Sequence, residues 1–289
     1  MTYRYERLTW PEARDAAAAN KVCILPVGSV EQHGPHLPLD VDIRLPTEIC
    51  HAVARDNPDE CLVLPTYQFG YTGHVMDYPG TINTNYDTMI ESILDIGRSL
   101  AYHGFQNIII VNGHGSNTPV LDLAHRRINL ETPATCAFTS WWKFLTIDPD
   151  FLPNWRQSVF PGGCSHACEL ETALYMHIDE DSVRKDLIED DLSSMPTEGF
   201  AREALWVDLF SAGAVSMTTW TSKAGKVGVF GQPSLATKEK GRQAFEEAAR
   251  QLTRLVKHMR AHPLKPRVEH HGRPTPMPPA WGERPFAKS

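Results

Sequence analysis

No stretch of this 289-residue chain is long and apolar enough to form a membrane-spanning helix, so a bilayer is not an expected partner. The polar start, Met1 to Arg7, carries no apolar core of a secretion signal, and cytoplasmic residence is the expectation. Basic residues are outnumbered, 28 Lys and Arg against 35 Asp and Glu, for a net charge of −7. With no basic cluster interleaved with aromatics, nucleic acid is not an expected partner either. A disulfide framework is also lacking. The six cysteines (Cys23, Cys50, Cys61, Cys136, Cys164, Cys168) are scattered, three of them inside apolar runs, and read as free buried thiols. Cys164 and Cys168 are four apart but have no second pair to complete a structural zinc site. The glycine-rich Gly225-Lys226-Val227-Gly228-Val229-Phe230-Gly231 lacks a following Gly-Lys-Ser/Thr, which excludes a phosphate loop.

The remaining composition, 42% hydrophobic and 22% charged, is that of a globular protein with a sizeable core. Apolar runs at Val22 to Val27, Cys61 to Leu64, Asn107 to Val111 and Ala134 to Ser140 read as short buried strands. Helical patterns lie between them, over Leu45 to Arg55, Asn85 to His103 and up to about Leu130. Strands alternating with helices predict an α/β fold with a mostly parallel sheet covered on both faces. A helix is expected from Ser165, a further strand from Ala214 to Met217, and a long helix from Leu235 to Arg260. One domain over residues 1–262 and a Pro-rich tail over 263–289 complete the reading.

Just past the first strand stands Glu31-Gln32-His33-Gly34-Pro35-His36, followed by Asp42. In extended chain, residues i and i+2 point the same way, so Glu31 and His33 share one space with Gln32 turned away. A Gly/Pro turn can fold Asp42 back to join them. Carboxylate oxygens and imidazole nitrogens converging at a strand's end suit a divalent metal. The strand at Asn107 ends in Asn112-Gly113-His114-Gly115-Ser116-Asn117. Ligands bind beyond the carboxyl ends of parallel strands, which joins the two motifs into one site. A third motif, His166-Ala167-Cys168-Glu169-Leu170-Glu171-Thr172, would place His166 and Glu169 on one helical face and Glu171 on another.

Together the three motifs, in this order, resemble the creatininase (creatinine amidohydrolase) family, nearer its formamide-hydrolase-like branch than creatininase itself. That resemblance implies a three-layer α/β/α sandwich, a homo-oligomer, commonly a hexamer, and metal-dependent hydrolysis of amide-type C–N bonds in a small-molecule substrate. It implies one metal on Glu31, Asp42 and His114 and a second on His33, Asp42 and a glutamate, with zinc, manganese and iron all suited to such ligands. Creatinine-hydrolysing members place that glutamate where this chain has Ser116. The third motif matches a His-Ala-Gly-Glu pattern, which makes Glu169 the second-site candidate and leaves Glu171 a supporting role. His166 is the expected general acid/base. Trp142, by correspondence with a gating tryptophan, and His74 and Ser116 are candidate substrate contacts. Two readings compete with amide or formamide hydrolysis: hydrolysis of a sugar-derived cyclic ketone or lactone, and a non-catalytic metal-binding oligomer.

Overall fold

Four strands, β1 (Val22–Val27), β2 (Cys61–Val63), β3 (Asn107–Asn112) and β4 (Thr135–Ser140), pair in parallel in the order β2-β1-β3-β4. Both central strands, β1 and β3, are buried at every position. Their side chains alternate between two cores, with Val22, Ile24, Ile109 and Val111 on one face and Cys23, Leu25, Ile108 and Ile110 on the other. Burying such a side chain is worth roughly 1.5–3 kcal/mol, more than the ~1 kcal/mol span of strand propensity. Burial on both faces therefore decides which runs occupy the centre of the sheet. In a computed structural model of the chain, residues 2–265 and positions 268, 270, 272 and 273 are described; most of the Pro-rich tail expected from 263 lies outside them.

The helices are α1 (Trp10–Ala18), α2 (Val41–Asp56), α3 (Tyr86–Tyr102), α4 (Thr118–Glu131), α5 (Phe151–Trp155), α6 (Glu169–Asp179), α7 (Gly199–Ala204), α8 (Thr221–Ala224) and α9 (Lys238–Ala261). One core draws on α1, α3 and α4 (Ala16, Met89, Ile93, Leu121, Ile128), the other on α2, α6 and α9 (Leu45, Ile49, Leu170, Leu174, Leu252). This is the three-layer α/β/α sandwich. A separate antiparallel pair joins β5 (Cys164–His166), just before α6, to β6 (Phe230–Gly231), after α8.

Two expected elements differ. The helix expected from Ser165 begins only at Glu169, because Ala167 takes a left-handed backbone (φ +49°) and Cys168 serves as the N-cap. Ser165 instead donates its hydroxyl to Val207 O at 2.6 Å. The Ala214 to Met217 run forms no strand: all four residues are exposed, and Val215 N donates to Ala204 O at the end of α7. All six cysteines are free and buried, as expected.

Candidate metal centre

The site lies past the carboxyl ends of β1 and β3, which are register partners at Val27 and Asn112. Glu31 and His33 follow β1, His114 follows β3, and Asp42 lies in the first turn of α2. Two glycines make that convergence possible. A Cβ on Gly113 would fall 2.0 Å from Asp42 O, and one on Gly28 would fall 2.7 Å from the same atom. Both strand ends thus press directly on the α2 backbone and hold Asp42 over the sheet.

His114 Nδ1 is 2.8 Å from Glu31 Oε2 and 3.2 Å from Asp42 Oδ2; His33 Nε2 is 3.2 Å from Asp42 Oδ1 and 3.7 Å from Glu171 Oε1. All five side chains are buried. The far nitrogen of each ring meets a backbone carbonyl, His114 Nε2 with Tyr71 O and His33 Nδ1 with Glu31 O, both at 3.2 Å. A carbonyl only accepts, so those nitrogens carry the protons and the near nitrogens turn lone pairs toward carboxylates.

Two lone pairs facing each other repel unless positive charge lies between them. In the metal-free chain protons supply it. Burial opposes charge on His114, but Glu31 and Asp42 raise it to about 10. Burial likewise opposes charge on His33, while Asp42 and Glu171 raise it well above the ordinary imidazole value. Burial alone would raise Glu31, yet His114, with His166 and His33, holds it below the carboxylate range. Asp42 follows the same balance through His33 and His114.

A cation fits the same place. His33 Nε2 and Asp42 Oδ2 are buried without a hydrogen-bond partner, although each has an oppositely charged atom within 3.2 Å. Donor atoms of Glu31, Asp42 and His114 lie within 4.8 Å of one another, and so do those of His33, His166 and Glu171. Imidazole plus carboxylate donors suit zinc, manganese or iron.

The expected role of Glu169 is corrected. Glu169 is fully buried away from the cluster, accepting from Gln157 N (3.1 Å) and Ser158 N (3.0 Å) and pairing with Lys240 Nζ. Glu171 faces His33 instead. It is the third residue of α6, and its carboxylate folds back over the N-terminus to accept from Cys168 N at 3.3 Å. The two glutamates do face apart, as their spacing predicts. The His-Ala-Gly-Glu match, supported by a helix started at Ser165, points to the other of the two.

His166 joins the cluster from β5 rather than from a helix, its Nδ1 3.6 Å from Glu31 Oε1. His74 stacks on His114 at 6.4 Å between ring centres, and its Nε2 is 3.5 Å from Ser116 Oγ. Both are partly exposed and border the cluster. Trp142 is buried in the apolar core, edge-on to Trp141. Gln32, expected to turn away, bridges Gly34 N and Gly228 O beside His166.

Several supporting residues escaped the sequence reading. Thr72 donates its hydroxyl to Glu31 Oε2 at 2.9 Å; Asn112 clamps the His114 turn through both His114 N and His114 O. His36 meets Thr172 Oγ1 at 2.9 Å and ties the first motif to α6. Only Asn112 carried a local signal, its place one glycine before His114 at a strand end.

The family profile described as creatinine amidohydrolase matches residues 6–256. A creatinine amidohydrolase of Pseudomonas putida is 33% identical over 200 residues, 63% of this chain and 74% of its own. A mycofactocin precursor peptide peptidase of Mycobacterium ulcerans is 29% identical over 83% of this chain and 82% of its own. A 3-dehydro-scyllo-inosose hydrolase of Thermotoga maritima is 23% identical over 88% of this chain and 82% of its own. Among solved structures, the manganese form of creatininase superposes with a TM-score of 0.73 at 26% identity, covering 89% of this chain and 98% of that one. A creatininase variant of the Zn–Zn type gives 0.72 at 26% identity, covering 89% and 98%. With a matching profile over most of its length and the same fold around its carboxylate–imidazole cluster, this chain belongs to the creatininase family.

Proposed function

We propose that the chain hydrolyses a C–N bond in a small cyclic amide or formamide, with one or two divalent ions held by Glu31, Asp42 and His114 and by His33, Asp42 and Glu171. One observation carries this reading: buried, unpartnered donor atoms on His33 and Asp42 point into two ligand groups at the carboxyl ends of the central strands. Zinc or manganese is favoured by the named forms of the related structures. When bound, such ions activate a water and polarise a carbonyl.

The chain's own residues do the rest. Asp42 offers one oxygen to each group, and Thr72 fixes the Glu31 carboxylate. His74 and Ser116, side by side on the accessible border of the cluster, contact the substrate. Burial keeps His74 below the ordinary imidazole value, so it is neutral near pH 7. We give it the proton transfer, taking a proton from the attacking water and passing it to the leaving nitrogen, because both ring nitrogens of His166 already face protein groups. Hydrolysis of a sugar-derived cyclic ketone or lactone stays second, supported by the name of the Thermotoga relative. A single catalytic unit over residues 1–262, a homohexamer and a cytoplasmic location belong to the same reading by family resemblance.

The test is a panel of cyclic amides, formamides and lactones, assayed with protein stripped by a chelator and then reloaded with zinc or manganese. Amine release that disappears on stripping and returns on reloading is expected. Turnover of lactones alone would favour the second reading, and turnover of nothing would sink both.

A further inference from the structure

We propose that an aromatic trough beside α5 is the docking site of the chain's own Pro-rich segment, Pro274 to Trp281, which returns along α9 to reach it. None of the residues lining the trough belongs to the metal centre.

Leu152, Pro153, Arg156, Ser158, Phe160 and Phe210 line a trough of about 270 Å³. Sites that enclose a small molecule run to roughly 300–1,000 Å³, so this one has room for a few side chains of a larger partner. Phe160 is 57% exposed and stands edge-on to Trp206, 5.3 Å away. Arg156 supplies no free charge. Asp208 holds its guanidinium at 3.0 and 2.7 Å, Ser158 O and Val159 O accept from it, and its flat face lies over Phe160 and Phe210 at 5.2 and 5.8 Å. An anion would have to displace Asp208. Ser158 Oγ is buried and has no hydrogen-bond partner among the described residues. A ring-lined apolar surface with one spare hydroxyl suits a polyproline segment. Such a backbone leaves its carbonyls free to accept and, being preset, loses little entropy on binding.

Sequence, length and charge name the occupant. Four prolines stand in Pro274-Thr275-Pro276-Met277-Pro278-Pro279-Ala280-Trp281. At three residues per turn, Pro276 and Pro279 share one face, with Arg273 at its head. Between tail and trough lies the length of α9, 24 residues or roughly 36 Å. Its first turn touches α5, where Trp155 Nε1 donates to Lys240 O at 2.9 Å. Its last turn lies at the amino end of the sheet, where Arg260 Nε donates to Asn20 O at 3.2 Å. Pro263 and Leu264 border a cleft there with Pro133 and Thr135, at the start of edge strand β4, and the chain after β4 leads into α5. Residues 263–273, eleven of them, cover about 34 Å as polyproline, which returns Pro274 to the level of α5. The tail from 263 holds five basic residues against Glu269 and Glu283, on a chain of net charge −7, and Asp148 and Asp150 stand just before the trough.

Hydrogen exchange of the full-length protein tests the docking. In wild type, segments 159–163 and 207–213 should exchange at least about 10-fold slower than in the double variant Pro276→Gly, Pro279→Gly, which alters only the tail. A synthetic peptide of residues 270–284 should restore protection to that variant. It should do little to wild type, where it competes with a tethered tail at roughly millimolar effective concentration. Phe160→Ser should lose protection as the tail variant does and gain none from the peptide. Equal exchange in wild type and the tail variant, or peptide protection falling elsewhere, would overturn the proposal. Protection that grows with protein concentration would put the tail on a second copy and overturn docking within one chain.

Discussion

His74 is a partly exposed imidazole at the edge of the cluster, stacked on His114 and beside Ser116 Oγ. His74→Ala should keep wild-type metal content and lose about 10²–10⁴-fold in kcat, the usual worth of a positioned acid/base. Metal analysis beside steady-state kinetics checks it; loss of ions with the activity would give His74 a structural role instead. Glu169 makes the opposite prediction. Glu169→Gln should leave metal content unchanged but cost about 3 kcal/mol in urea unfolding, since it strands Lys240 against a buried neutral amide. Glu31, His33 and His114 were legible because each follows a strand end in a short motif, and Asp42 because a Gly/Pro turn leads the chain back toward them. Glu171 was not: its direction depends on where α6 starts, and the left-handed Ala167 that delays the start has no signature in an alanine side chain.

At the scale of elements, the central strands and their flanking helices were readable from uninterrupted β-branched runs and 3.6-residue periodicity. The β5–β6 pair was not, since two- and three-residue strands carry no period. Nor was the tight approach of β3 to α2, which shows only once both backbones are placed. Gly113→Ala tests that approach. The added methyl would meet Asp42 O at 2.0 Å, so one backbone must retreat. Overpacking of this kind costs about 1–3 kcal/mol. Because the retreat moves Asp42, metal affinity should fall by 10-fold or more, a loss of a size typical for disturbed ligand support. Calorimetric metal titration beside a thermal melt separates the effects. A variant that is less stable but binds metal normally would show that β3 does not position Asp42.

For the whole molecule, the cluster couples stability to pH and to metal. His33 and His114 are raised in the folded metal-free chain, so their stabilisation is full below the ordinary imidazole value near 6.5 and is lost as pH rises, for His114 through about 10. Glu31 and Asp42 are lowered, so theirs is present above the ordinary carboxylate range near 4 and fades as pH falls below it. Metal-free protein should therefore melt highest at about pH 4.5–6.5 and lose stability steadily toward pH 10. Metal must displace those protons, so affinity should rise from pH 6 to 8. Free ion at a thousand times its Kd adds about 4 kcal/mol, which should flatten or reverse the alkaline decline. A melting temperature with the same pH profile in stripped and loaded protein would contradict this coupling.

The most direct test is the metal content of wild type, Glu171→Gln and Glu169→Gln, purified and loaded identically. A centre built on Glu31, His33, Asp42, His114 and Glu171 predicts two ions per chain in wild type, two in Glu169→Gln and one in Glu171→Gln. Two ions in Glu171→Gln, or the loss of an ion in a folded Glu169→Gln, would contradict it.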